Sequence, residues 1–122
     1  MCRILMSINP EHVENILNGN KRFEYRKHAS KRTPNKILIY CTAPVSKVVG
    51  EVEVLDVIQS TPSKIWNLTS NYSGISKTFF IDYYKDKTEA VAYKLGKVTV
   101  YKKPKELIDF GLTFAPQSYA YV

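Results

Sequence analysis

Apolar residues recur along this chain in two rhythms. Residues 3–8 alternate loosely and predict a first strand. Asn9-Pro10-Glu11 then reads as a helix start, with an Asn cap, proline at the first helical position and an acid in the first turn. Val13, Ile16 and Leu17 form one stripe at helical spacing, which predicts a helix over residues 10–18, and Gly19 closes it. Residues 22–26 switch to period two. Phe23 and Tyr25 share one face of that strand, and Arg22, Glu24 and Arg26 share the other.

Residues 28–35 form a basic loop broken by Pro34. Residues 36–42 and 48–58 then predict two strands, the second holding Gly50, which points to a bulge or a close backbone approach. Pro62-Ser63 starts a helical stretch through Trp66 and Leu68, and Asn71-Tyr72-Ser73-Gly74 reads as a turn. Ser76 caps a further helix through Tyr84, with Phe79, Phe80 and Tyr83 expected on its buried side. Residues 89–95 and 98–102 predict two strands around a Gly96-Lys97 turn, and Ser118 to Val122 predicts a last short strand. The total is about six strands and three helices, in an order that is not a repeating βαβ. The architecture expected is α+β: a small, curled, mostly antiparallel sheet or barrel with helices packed on its openings. With no linker, repeat or low-complexity segment visible, residues 1–122 are read as one domain.

Composition narrows the function. The apolar fraction of 44% and the charged fraction of 24% match a globular protein. No apolar run is long enough to span a bilayer, and the first nine residues lack the features of a secretory signal. Cys2 and Cys41 have no partner spacing and sit among apolar residues, which suggests reduced thiols in a cytoplasmic protein. Neither His12 nor His28 falls in a metal-ligand pattern, so no metal or other cofactor is expected. The formal charge is +7, and it is concentrated. From Lys21 to Lys36 there are seven basic residues against one acid, whereas the remainder of the chain is nearly balanced. Such a patch favours polyanions.

That patch opens with Gly19-Asn20-Lys21-Arg22-Phe23-Glu24-Tyr25-Arg26. Lys21 suits either of two roles: a point charge on a phosphate, or a nucleophile if burial lowers its pKa. It also has a bland reading, a solvated cation after a helix end. Glu24 and Arg26 lie on one strand face. They read either as an exposed ion pair worth ~0–1 kcal/mol or as a carboxylate held between cations to accept hydrogen bonds or act as a base. Arg22, Lys27, Lys31, Arg32 and Lys36 are the candidate phosphate contacts, with Arg26 beside them. Lys97, Lys102, Lys103 and Lys105 form a second basic cluster. Tyr40, Tyr25, Tyr119 and Tyr121 are candidate stacking faces for a base, although tyrosines at alternating strand positions are commonly half-buried packing.

The same octapeptide resembles the G-x-K-x-x-E-x-R signature of the ASCH domains, a family of the PUA-like superfamily. Val48-Val49-Gly50-Glu51-Val52 looks like that family's second motif strand, and Pro116-Gln117-Ser118-Tyr119 looks like its C-terminal Pro-x-Ser-aromatic ending. The resemblance spans the chain. It implies a PUA-like β-barrel of about six strands with a cleft beside it, lined by Lys21, Glu24 and Arg26 and entered by Ser118. It further implies binding of RNA or a modified nucleotide. Some relatives are hydrolases, and some are called transcriptional or translational regulators. One subfamily removes an acetyl group from acetylated cytidine and carries threonine where this chain has Glu24. Two functional classes therefore stand. One is a binding module for RNA or nucleotides. The other is a small hydrolase, either an amidohydrolase on a modified nucleoside or a ribonuclease, with Lys21, Glu24 and Ser118 as its catalytic set.

Overall fold

The computed structural model describes residues 2–122. In chain order the elements are β1 (Arg3–Ile8), α1 (Pro10–Leu17), β2 (Phe23–Arg26), β3 (Lys36–Cys41), β4 (Lys47–Ser60), α2 (Pro62–Thr69), α3 (Lys77–Tyr83), β5 (Ala90–Lys105) and β6 (Tyr119–Tyr121). The strands make one six-stranded sheet in the order β2-β5-β4-β3-β1-β6, curved into a half-barrel. Every neighbouring pair is antiparallel except β1 with β3. This is the α+β, PUA-like arrangement that the residue pattern and the motifs predict.

The parallel pair is buried on both faces, which explains its nearly unbroken apolar runs. Ile4, Met6, Ile8, Ile37, Ile39 and Cys41 point to the side covered by Val13 and Ile16 of α1. Leu5, Leu38 and Tyr40 point the other way, to Val48 and to the segment carrying Leu107, Phe110 and Leu112. A third cluster joins Phe23 and Tyr25 of β2 and Ala90 and Ala92 of β5 to Ile65, Phe80 and Tyr84. There the Phe80 ring centroid lies 5.1 Å from Tyr25 and 4.8 Å from Tyr84, tilted rather than stacked face to face.

Three local expectations change. Gly96-Lys97 is not a turn, and β5 runs unbroken from Ala90 to Lys105 along β4. Gly96 lies beneath Leu55, where a Cβ would sit 2.9 Å from Leu55 Cδ2, so this glycine serves a close approach within a strand. The misfit between the two long strands is absorbed by three register shifts instead. Phe79 is 45% exposed, because the face of α3 that meets the sheet is set by Phe80 and Tyr84. Asn9 stands at the N-cap position of α1 without bonding the helix through its side chain.

The gap between the edge strands β2 and β6 is crossed by side chains. The loop after β2 donates its Arg32 amide to the Tyr121 hydroxyl of β6 at 2.9 Å and its Lys31 amide to that of Tyr119 at 3.4 Å, while its Ser30 amide ties back to the Tyr93 hydroxyl of β5 at 2.9 Å. Arg26 of β2 donates to the Ser7 carbonyl of β1 at 3.0 Å.

Gly50 gives the sharpest test of this ladder. A Cβ there would lie 2.6 Å from the Thr99 carbonyl oxygen, a backbone atom that cannot swing aside. Gly50→Ala is expected to lower stability by about 1–3 kcal/mol in urea unfolding. Gly96→Ala, which meets the exposed and flexible Leu55, should lose distinctly less.

Candidate functional site

The site forms where β1 ends, α1 begins and β2 passes both. As the chain leaves α1, the Lys21 amide donates to the Asn15 carbonyl at 2.9 Å, and the Arg22 amide donates to Tyr72 at 2.8 Å. These bonds fix the backbone on either side of Lys21, and its side chain turns inward until the residue is only 3% exposed. Gly74 makes room for it. Its φ is +67°, and a Cβ there would lie 2.4 Å from Lys21 Cβ, so the loop closes over the lysine stem only because residue 74 has no side chain.

The Lys21 ammonium donates to the Ser73 carbonyl at 2.9 Å and lies 4.7 Å from the Tyr25 ring centroid. It has three donors, of which Ser73 takes one. Among the described residues it makes no ion pair. Burial pushes its pKa down from 10.5; nearby Glu24 raises it and Arg26 lowers it further.

Glu24 and Arg26, two residues apart on β2, are joined by a two-point contact at 3.0 and 3.1 Å. Their side chains are 8% and 14% exposed, so this is no surface pair. Arg26 is locked between Glu24 and the Ser7 carbonyl. Ser7 also donates its hydroxyl to the Pro116 carbonyl at 2.6 Å and its amide to the Ser118 carbonyl at 3.3 Å. Around these groups stands a cavity of about 280 Å³, with Ser7, Asn9 and the three charged residues as polar lining and His12, Tyr25, Phe79 and Tyr83 as aromatic walls. Its volume falls at the small end of ligand pockets, whose range begins near ~300 Å³.

The other residues singled out from the sequence lie elsewhere. Arg22 is outside the cleft with its guanidinium 4.5 Å from the Tyr72 ring, and Lys27 lies 4.8 Å from Tyr83. Lys31 and Arg32 are exposed on the loop, Arg32 lying 4.0 Å from the Tyr121 ring. Two candidates are engaged elsewhere. Lys36 is paired with Glu51, which neutralises the charge it would bring to a phosphate. Tyr40 is packed among Leu5, Leu38 and Val48 and offers no stacking face. Ser118 is exposed and does not line the cavity; it reaches the edge only through its carbonyl bond to Ser7.

Ser7, Asn9, His12 and Tyr83 line the cleft without having been singled out. His12 had a legible signal: a histidine in the first turn of a helix that follows a strand directly is carried to that strand's end. Its Nδ1 is buried without a hydrogen-bond partner, and its ring meets Phe79 edge-on at 5.3 Å. Among the described residues no three His, Cys, Asp or Glu side chains group as a metal site needs.

A family model described as ASCH domain matches residues 6–107. The structure of ASCH from Zymomonas mobilis superposes with a TM-score of 0.89 at 24% identity, over 98% of this chain and 87% of that one. The N-terminal domain of Staphylothermus marinus McrB superposes at 0.52 with 14% identity, over 88% of this chain and 77% of that one. Both likenesses concern the fold. In sequence, an ATP synthase alpha subunit of Ureaplasma parvum is 32% identical over 120 residues, 98% of this chain. A large ribosomal subunit protein uL22 of the same species is 30% identical over an equal length. The chain spans 15% and 39% of these curated relatives.

His12 carries a pH signature. Burial, then Lys21, lowers its pKa below the ordinary 6.5. The folded protein therefore binds fewer protons than the unfolded chain between that lowered value and 6.5. The stability held by neutral His12 is present above 6.5 and is lost as pH falls through the folded value. Urea unfolding from roughly pH 7.5 to pH 5 should show the wild type losing stability relative to His12→Gln. Parallel curves for the two proteins would contradict the assignment.

Proposed function

The chain belongs to the ASCH domain family, and from that premise we propose that it binds RNA by taking a single base, plain or modified, into the cleft of Lys21, Glu24 and Arg26. One observation carries the reading. A buried ammonium with donors to spare lines a cavity with aromatic walls, beside a carboxylate–guanidinium pair. Aromatic walls suit the two faces of a base, and fixed donors and acceptors suit its edge. The ammonium supplies donors for base carbonyls or ring nitrogens, and Glu24 can accept from an exocyclic amine.

Exposed cations continue the strand's path. Arg22, Lys27 and Arg32 each rest on a tyrosine face, which holds the charge while leaving N–H groups free for phosphates. Lys31 stands next to Arg32 on a loop whose amides are tied down, so less order is lost on binding. No helix among the described residues is long and apolar enough to cross a membrane.

Hydrolysis is the second reading, favoured by the lowered pKa of Lys21. A less protonated lysine beside Glu24 suits attack on an acyl group carried by a base. Glu24 stands where the acetylcytidine-directed subfamily has threonine, which argues for a different acyl group or for no turnover. Ser118, exposed and outside the cavity, is a weak third member of such a catalytic set.

Binding of fluorescent single-stranded RNA tests the first reading. Lys21→Met should weaken it by about ten- to a hundredfold, the range for a hydrogen bond to a charged group. Lys31→Gln combined with Arg32→Gln should flatten the slope of log K against log salt by about 1.4, two phosphate contacts at ~0.7 each. RNA affinity unchanged in both variants would overturn the proposal. Chromatography of acylated nucleosides after incubation tests the second reading: it requires product from the wild type and none from Lys21→Arg.

A further inference from the structure

Beside the cleft runs a larger groove of about 700 Å³, lined by Asn20, Arg22, Asn71, Tyr72, Ser76 and Phe79 among others. His12, Ile75 and Phe79 line both spaces, so one ligand can pass from the first into the second along a shared wall. Two large aromatic side chains are left in the open here: Tyr72 is 49% exposed and Phe79 45%. Their neighbour Phe80, by contrast, is 3% exposed in the core. The Arg22 guanidinium lies 4.5 Å from the Tyr72 ring, and the same two residues are joined through their backbones at 2.8 Å. Arg22 makes no ion pair among the described residues, although Glu11 also lines the groove. A carboxylate repels a phosphate, so the anionic part of a ligand belongs at the Arg22 end.

We infer that this groove is a second subsite that takes the nucleotide adjoining the one in the cleft. Its base lies against the exposed ring of Tyr72, which lines the groove and not the cleft, and the linking phosphate lies on Arg22. The inference rests on the cleft being a base pocket and adds a statement about length: the recognised unit is at least a dinucleotide. Exposed aromatics beside an unpaired arginine are the usual equipment for single-stranded nucleic acid, where each stacked base adds to affinity whatever its identity. A site for a free nucleoside alone would have no use for either group outside the cleft.

Calorimetric titration with the common ribonucleosides and with the dinucleoside monophosphates built from them separates the possibilities. The best dinucleotide should bind the wild type about tenfold or more tightly than its best component nucleoside, the worth of one stacked base. That ratio should fall toward one in Tyr72→Ala and in Arg22→Gln, with unfolding midpoints confirming that each variant is folded. If nucleosides bind but dinucleotides bind no better, the second subsite is overturned and the cleft reading stands. If both variants weaken nucleosides and dinucleotides alike, the groove acts only through the cleft and the subsite is again overturned. If neither probe binds the wild type, the cleft reading fails and the subsite fails with it.

Discussion

The arrangement of this molecule turns on a lysine ammonium held out of water. Burying an ion costs on the order of several kcal/mol even after the protein relaxes, and among the described residues no carboxylate pairs directly with Lys21. Three weaker attractions share the work: the Ser73 carbonyl, the face of Tyr25 and the nearby charge of Glu24. Two of them come from strand β2 and one from the turn after α2, while the lysine itself is carried on the exit from α1, so all three segments must be in place together. The φ of Gly74 and the backbone bonds to Asn15 and Tyr72 are the local devices that keep them there. Glu24 is held in turn by Arg26, and Arg26 by Ser7. The bond from Arg26 to the Ser7 carbonyl therefore belongs both to the charge network of the site and to the contacts that span the open side of the half-barrel.

That coupling gives the cleft its rigidity. The sheet does not close strand to strand between β2 and β6. The hydroxyls of Tyr119 and Tyr121 and one arginine cross the gap, and the two tyrosines hold the basic loop in doing so. A ligand thus meets cations and donors that are already fixed, which reduces the ordering lost on binding. The cations on the rim are treated alike, resting on tyrosine faces instead of on carboxylates.

Much of this was legible in the order of residues, and the failures have physical causes. Period-two spacing correctly set Glu24 and Arg26 on one face, and Ser76 caps α3 by accepting from the Phe79 amide. The Gly-x-Lys-x-x-Glu-x-Arg spacing marked the three charged residues that line the cleft. What local pattern cannot show is which side of a strand another segment will cover. Tyr40 alternates correctly, yet its face is sealed by the segment carrying Leu107, Phe110 and Leu112, far along the chain. Lys36 belongs to a basic run, yet the register of β3 against β4 sets it opposite Glu53 and within reach of Glu51 on the diagonal, with which it pairs. Gly96 looked like a turn because glycine permits a turn and a close approach equally, and only the packing of Leu55 distinguishes them. Asn9 carried a helix-start signal and His12 follows it in the first turn, while their use as cleft lining depends on how α1 sits against β2.

The central claim is that Lys21 is kept buried and underpaired so that a ligand can complete its partners. The most direct test is the pKa of the Lys21 ammonium, followed by side-chain NMR in the free protein and with saturating single-stranded RNA. The account predicts a value below the ordinary 10.5 in the free protein, rising when bound acceptors favour the charged form. An ordinary value that RNA does not move would contradict it.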